Sequence, residues 1–382
     1  MQTAKNAISI VTASGFSIRF IPLQAKFTLR LIIILLNLWA ANQSFATPFI
    51  PESADTVVAQ WPLHSTELLN RSNTADDSNA ALAAARAYMQ QAMLPGQSNL
   101  YGRAQAVLAP VMAKHPASAE FWLTWAQLLQ HQHQFSSAKQ ALDEVFARDP
   151  HNVTASLLAA RIALIQGNAA QAKRHCISLL GRSELVTVSA CALEAASYSD
   201  KASLQSSYAQ LRQLATGTFA DAEQGIWLQQ ILADMALRLD QPQAALNHLT
   251  PMPAQASVSL WSQWAGVQLA LHNYEELLST LGTLVRALSD QDDALLVRLA
   301  LAEKRLSPGE YNWQQLITEK IHLREQRGDT QHAADMCLFY LDISPDPQKA
   351  LQWAKQNWQQ AQEPADRILL ARAQAAALNQ GH

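Results

Sequence analysis

Among side chains able to bind metals or move protons, the histidines are the most closely spaced. His131 and His133 fall two residues apart, with His115 before them and His151 after. Two imidazoles at that spacing chelate Zn²⁺ or Cu²⁺ only when carboxylates or further histidines converge from elsewhere. The neighbouring sequence supplies none, so they read as polar turn residues, and His322 and His332 read the same way. Glu275-Glu276 and Asp292-Asp293 suit the positive start of a helix better than an acid/base dyad. Trp122 and Trp125, like Trp261 and Trp264, are spaced i, i+3, which suggests one core and one partly exposed ring per pair rather than a stacking platform. No GxxxxGK[ST] loop, GxSxG elbow, HExxH or CxxC occurs. No catalytic residue, metal ligand or cofactor is therefore assigned. A deep cleft in which Glu194, Tyr198 or Tyr311 met a second ionisable group would reopen the question.

The chain has 382 residues, 49% hydrophobic and 15% charged, with only 12 Gly and 15 Pro, a mix that favours a packed all-α fold. Residues 1–46 hold Lys5, Arg19, Lys26 and Arg30 but no acid, followed by the apolar run Leu31 to Ala41 and the small-residue pattern Ser44-Phe45-Ala46. A helix needs roughly 20 apolar residues to cross a bilayer. The shorter run therefore reads as an export signal cleaved after Ala46, and the chain as periplasmic or otherwise exported. An uncleaved anchor or a transit peptide are the alternatives. Removing four of the 28 basic residues leaves 24 against 31 acidic ones, a balance that argues against nucleic acid as a partner. Residues 47–79, rich in Pro, Ser, Asn and Asp, read as an exposed spacer, with a helix expected to begin near Ala80 after Asp76, Asp77 and Ser78.

From there to residue 382 the sequence resembles itself. Ala104, Ala138 and Ala172 recur every 34 residues, Leu108, Leu142 and Cys176 keep the same register, and Pro116 and Pro150 repeat the step. Two helices of about four turns with tight connections need roughly this length, and a small residue is required where they cross closely. Segments 85–118, 119–152, 153–180 and 258–287 fit best; 185–215 and 222–250 keep the pairing without the aromatic; 291–327 settles into no clear pair. Eight or nine pairs are expected, with 364–379 as a lone last helix. Cys176 and Cys191 then lie on neighbouring helices, where both a disulfide and free packed thiols are feasible. Cys337 reads as a buried thiol.

These positions resemble the tetratricopeptide repeat family. Its large residue of the first helix resembles Trp122 and Trp261, the small residue one turn on Ala126, Ala160, Ala233 and Ala265, and that of the second helix Ala104, Ala138, Ala172, Ala245 and Ala333. The resemblance implies a right-handed α-α superhelix whose first helices line a concave groove for a peptide or protein partner. In helical phase the groove residues are Arg86, Met89 and Met93; Glu120, Leu123, Gln127 and Gln130; and Leu157, Arg161 and Leu164. The clustered Lys and Asn with which some members grip a terminal carboxylate are absent. The expected function is a non-catalytic scaffold for protein–protein interaction. The alternatives are a membrane-tethered assembly factor or a helical-toroid enzyme acting on envelope polysaccharide.

Overall fold

The computed structural model describes residues 78–114, 118–215, 222–306 and 312–379. The signal segment 1–46, nearly all of the spacer, His115 and Tyr311 lie outside the described residues. Within them the chain is an all-α solenoid of seventeen α-helices. The first four pairs are α1 (Ser78–Ala92) with α2 (Leu100–Met112), α3 (Ala119–His131) with α4 (Phe135–Arg148), α5 (Val153–Ile165) with α6 (Ala169–Ile177), and α7 (Leu185–Ala196) with α8 (Lys201–Leu214). Then follow α9 (Ala222–Arg238) with α10 (Pro242–His248), α11 (Val258–Ala270) with α12 (Tyr274–Arg286), and α13 (Asp293–Leu306) with α14 (Asn312–Arg327). The eighth joins α15 (Ala333–Leu338), extended by a π-helical turn over Phe339–Ile343, to α16 (Pro347–Gln360), and α17 (Pro364–Asn379) closes the series. No described helix is long and apolar enough to cross a membrane.

Local chemistry sets the helix ends. Ser118, Asn152 and Ser257 cap first helices by accepting from the amides of Phe121, Ala155 and Leu260, which satisfies one of the donors a helix start leaves open. After α3, α5, α9 and α11 the chain turns through one left-handed residue: His133, Gly167, Asp240 and His272. The next amide then reaches back five residues, as in Gln134 N–H to the Leu129 carbonyl and Asn168 N–H to the Ala163 carbonyl. This closes the last helical turn on itself and points the chain into the second helix. The recurring alanines sit where helices cross: Ala104, Ala126, Ala138, Ala172, Ala233, Ala245 and Ala265 are fully buried.

Three sequence expectations change. Residues 291–327 do form a pair, α13 with α14. Its signature is a buried carboxylate, Glu303, which accepts from the amides of Trp313 and Gln314 and so caps α14. The core ring at the start of α3 is Phe121, with Trp122 and Trp125 both half-buried, whereas Trp264 is the buried ring of α11. Helix α1 begins at Ser78, two residues ahead of Ala80.

The solenoid also turns back on itself. Where α1 meets α2, the Gly96 amide donates to Asp292 Oδ2 at 2.7 Å and the Met93 carbonyl accepts from Val258 N–H. Past α3, the His133 ring meets His332 edge to face, with centroids 5.2 Å apart. Past α5, the Ile165 carbonyl accepts from Gln362 N–H, and a Cβ on Gly167 would lie 3.1 Å from the Gln362 side chain. Three successive turns of the N-terminal half thus meet the loops before α13, α15 and α17. The contacts join residues 165 (Met93 and Val258) to 199 (His133 and His332) positions apart, so five to six helix pairs make one circuit.

Candidate functional site

Two first helices carry a charged residue directly after their small crossing alanine. Arg161 follows Ala160 in this way, and Asp234 follows Ala233. Glu194 and Tyr198, at the end of α7, lie between them. Their side chains converge with the turn between α16 and α17. Arg161 holds Glu363 through both its terminal nitrogens, at 3.0 Å and 3.3 Å, and stands 3.6 Å from Glu194 Oε1. The Tyr198 hydroxyl donates to Glu363 Oε1 at 2.9 Å. Arg238 lies over the Tyr198 ring with its guanidinium carbon 4.4 Å from the centroid, donates to the Ser197 carbonyl and hydroxyl, and pairs with Asp234 at 2.9 Å.

The electrostatics follow from crowded charge around a largely covered Glu194, 14% exposed, while Arg161 and Asp234 remain 45% exposed. Burial pushes the Glu194 carboxyl up to about 7, against the pull of Arg161 and with Asp234 and Glu363 adding to the rise. Burial likewise raises Asp234 and Tyr198, the phenol further because of the Glu363 charge. For Arg161 burial disfavours the charge, but Glu363 and Glu194 outweigh it and hold the guanidinium more firmly protonated. A phenol raised in this way is no base at neutral pH, whereas a carboxyl near 7 exchanges protons there. Glu194 and Tyr198 thus do meet further ionisable groups within the solenoid.

The other expected groove residues divide. Met89 and Leu164 are in the core, at 7% and 2% exposure, which corrects their placement in an open groove. Their side chains fill the contact with the paired helix instead. Arg86 and Glu120 form an ion pair with each other, and Arg86 also donates to Thr124 Oγ1 at 3.2 Å. Leu123 and Leu157 are half-buried against neighbouring core clusters. Gln127 and Gln130 are half-buried, and Met93 stays exposed at 39%. Of the ten, Arg161 alone reaches the charged cluster. Glu363 carried no sequence signal, because its partners lie 165 and 202 residues away. Arg161 and Asp234 did carry one, a charge directly after the crossing alanine.

Cys176 and Cys191 are joined as a disulfide, tying α6 to α7 with Cα atoms 5.5 Å apart, while Cys337 is a buried thiol. His131 stacks on Tyr101 at 4.9 Å, and burial lowers its pKa to about 4. Among the described residues no three His, Cys, Asp or Glu side chains are grouped to hold a metal.

Paired helices with small residues at their crossings, wound into a circuit, define an all-α helical-repeat solenoid. A profile of the tetratricopeptide repeat family matches residues 130–182, from the end of α3 through α6, so this stretch carries tetratricopeptide repeat sequence. Among solved structures, the crystal structure of the P58(IPK) TPR domain is similar over 78% of this chain and 99% of that one, at 14% identity and a TM-score of 0.23. No curated protein matches the chain.

Proposed function

We propose that this chain is an exported, non-catalytic scaffold that binds a protein or peptide partner on the inner face of its first helices. Tetratricopeptide repeats serve as protein-interaction scaffolds, which supports the coarse reading. One observation carries it further: α5, the turn after it and Tyr198 already grip a short piece of polypeptide, the chain's own 361–363. They do so through a backbone hydrogen bond at Ile165 and a carboxylate held by Arg161 and Tyr198. A preformed surface that captures main chain and one side chain together is the usual physics of peptide recognition. The basic segment, the apolar run and Ala46 support export and cleavage. If the run is retained, the same scaffold is a membrane-tethered assembly factor.

A second reading, an enzyme acting on envelope polysaccharide, is favoured by one feature, the Glu194 carboxyl titrating near 7 inside an enclosed cluster. Against it stand the raised phenol of Tyr198 and the engagement of Arg161 by two carboxylates.

The test is in-cell crosslinking and affinity capture of the tagged chain, with N-terminal sequencing of the mature product. A specific co-purifying protein, diminished by Leu123→Ala with Gln127→Ala, supports the scaffold. Bound polysaccharide or a small molecule in its place refutes it. A product starting at Thr47 supports export, and an intact N-terminus supports the tether.

A further inference from the structure

Resting on the scaffold reading, the chemistry of the inner face specifies what the partner presents. The loop 361–363 enters with Ala361 extended, at φ −127° and ψ 128°, and bends at Glu363 just before α17. Its successive groups meet successive features of α5 and α7. The Gln362 amide donates to the Ile165 carbonyl at 2.6 Å. The Gln362 side chain lies over Gly167, where a Cβ would approach it to 3.1 Å, closer than ordinary contact. The absence of a side chain at 167 is what lets the segment lie flat. The Glu363 carboxylate then takes a two-pronged bond from Arg161 and a hydroxyl bond from Tyr198. Planar guanidinium against carboxylate is both strong and selective in geometry. Arg238, stacked over the Tyr198 ring and bonded to Ser197, holds that ring where its hydroxyl reaches the incoming carboxylate.

We propose that Ile165, Gly167, Arg161 and Tyr198 form a receptor for an extended acidic peptide segment of a partner protein. In this reading the chain's own Ala361–Glu363 occupies the receptor as a tethered stand-in, and the partner takes the site by exchange. Two features separate this from a purely structural staple. The receptor side is assembled from two different helix pairs, whereas the occupant is three residues of connecting loop. The loop can leave without unfolding either receptor helix, because α5 is packed on α6 and α7 on α8. A tethered occupant competes at an effective concentration of about millimolar, so a partner segment binds the unchanged chain weakly and a vacated site much better.

The probe is a fluorescein-labelled peptide with the sequence of residues 357–366, and a second peptide with Gln in place of Glu363. Binding is read by anisotropy on the full chain and on Gln362→Gly/Glu363→Ala, which removes the stand-in. The double variant binds the acidic peptide at least roughly tenfold more tightly than the unchanged chain, the scale of a charged hydrogen-bonded pair. Adding Arg161→Gln abolishes that gain, Tyr198→Phe reduces it several-fold, and the Gln peptide shows none of it. Equal binding of the two peptides to the folded double variant overturns the proposal.

A second readout needs no vacated variant. Excess acidic peptide added to the unchanged chain speeds hydrogen exchange at the Gln362 amide, and the Gln peptide does not. No acceleration by the acidic peptide also overturns the proposal. Capture of a cellular partner that survives Arg161→Gln removes this receptor but leaves the scaffold reading standing.

Discussion

Replacing Glu194 with Gln reads the enclosure of the inner face directly. The carboxyl goes from 4.5 to about 7 with burial as the largest cause, and its side chain is 14% exposed, so solvent screens it little. Two and a half units correspond to on the order of 3 kcal/mol at about 1.36 kcal/mol per unit. The sign follows from proton counting. Between about pH 4.5 and 7 the native state holds a proton on Glu194 that the unfolded chain has lost, so this group's contribution is fully present below 4.5 and is lost as pH rises through 7. Between pH 5 and pH 8 the change is on the order of 2 to 3 kcal/mol, and Gln, which does not titrate, abolishes it. His131, held neutral by burial, works in the opposite direction as pH falls towards 4. It does so in both proteins, so it cancels in the difference between them. The assay is urea unfolding of the two proteins at pH 5 and pH 8 with the disulfide intact. The original chain should lose on the order of 2 to 3 kcal/mol more than Glu194→Gln on going to pH 8. A difference that is the same at both pH values within about 0.5 kcal/mol would refute the enclosed cluster.

Three further perturbations test the frame. Gly96 has φ +76°, and a Cβ there would lie 2.9 Å from the Asp290 carbonyl oxygen, so Gly96→Ala should cost about 2 kcal/mol in thermal unfolding. Asn152→Ala removes the cap that accepts from Ala155 N–H and should cost about 1 kcal/mol. Cys176→Ser with Cys191→Ser opens a bridge spanning 15 residues and should cost about 3 kcal/mol on the loop-entropy account; thiol counting on the denatured, unreduced chain should find Cys337 alone.

Local features of this fold were legible in the sequence because they are written locally. The 34-residue recurrence of Ala104, Ala138 and Ala172 marks the crossings, and all three are fully buried. Features formed by distant residues left no comparable trace. The pair α13–α14 hid because its organising residue is a buried carboxylate, Glu303, rather than an aromatic at the expected phase. Helical phase singles out Arg161, whose side chain meets Glu363 and Glu194. The same phase puts Met89 and Leu164 in an open groove, whereas both are buried in the core. The partners of Arg161 were out of reach, because closure of the circuit brings together residues with no periodic relation.

His133 and His332 measure the closure of the circuit most directly, since their rings touch across 199 positions of sequence. The experiment places cysteines at both sites, His133→Cys with His332→Cys, in a Cys337→Ser background, and adds a short bismaleimide. The account predicts a nearly complete intramolecular crosslink, seen as a faster-migrating monomer that neither single-cysteine control produces. A folded double variant that labels at both cysteines without crosslinking would contradict it, and with it the self-occupied inner face.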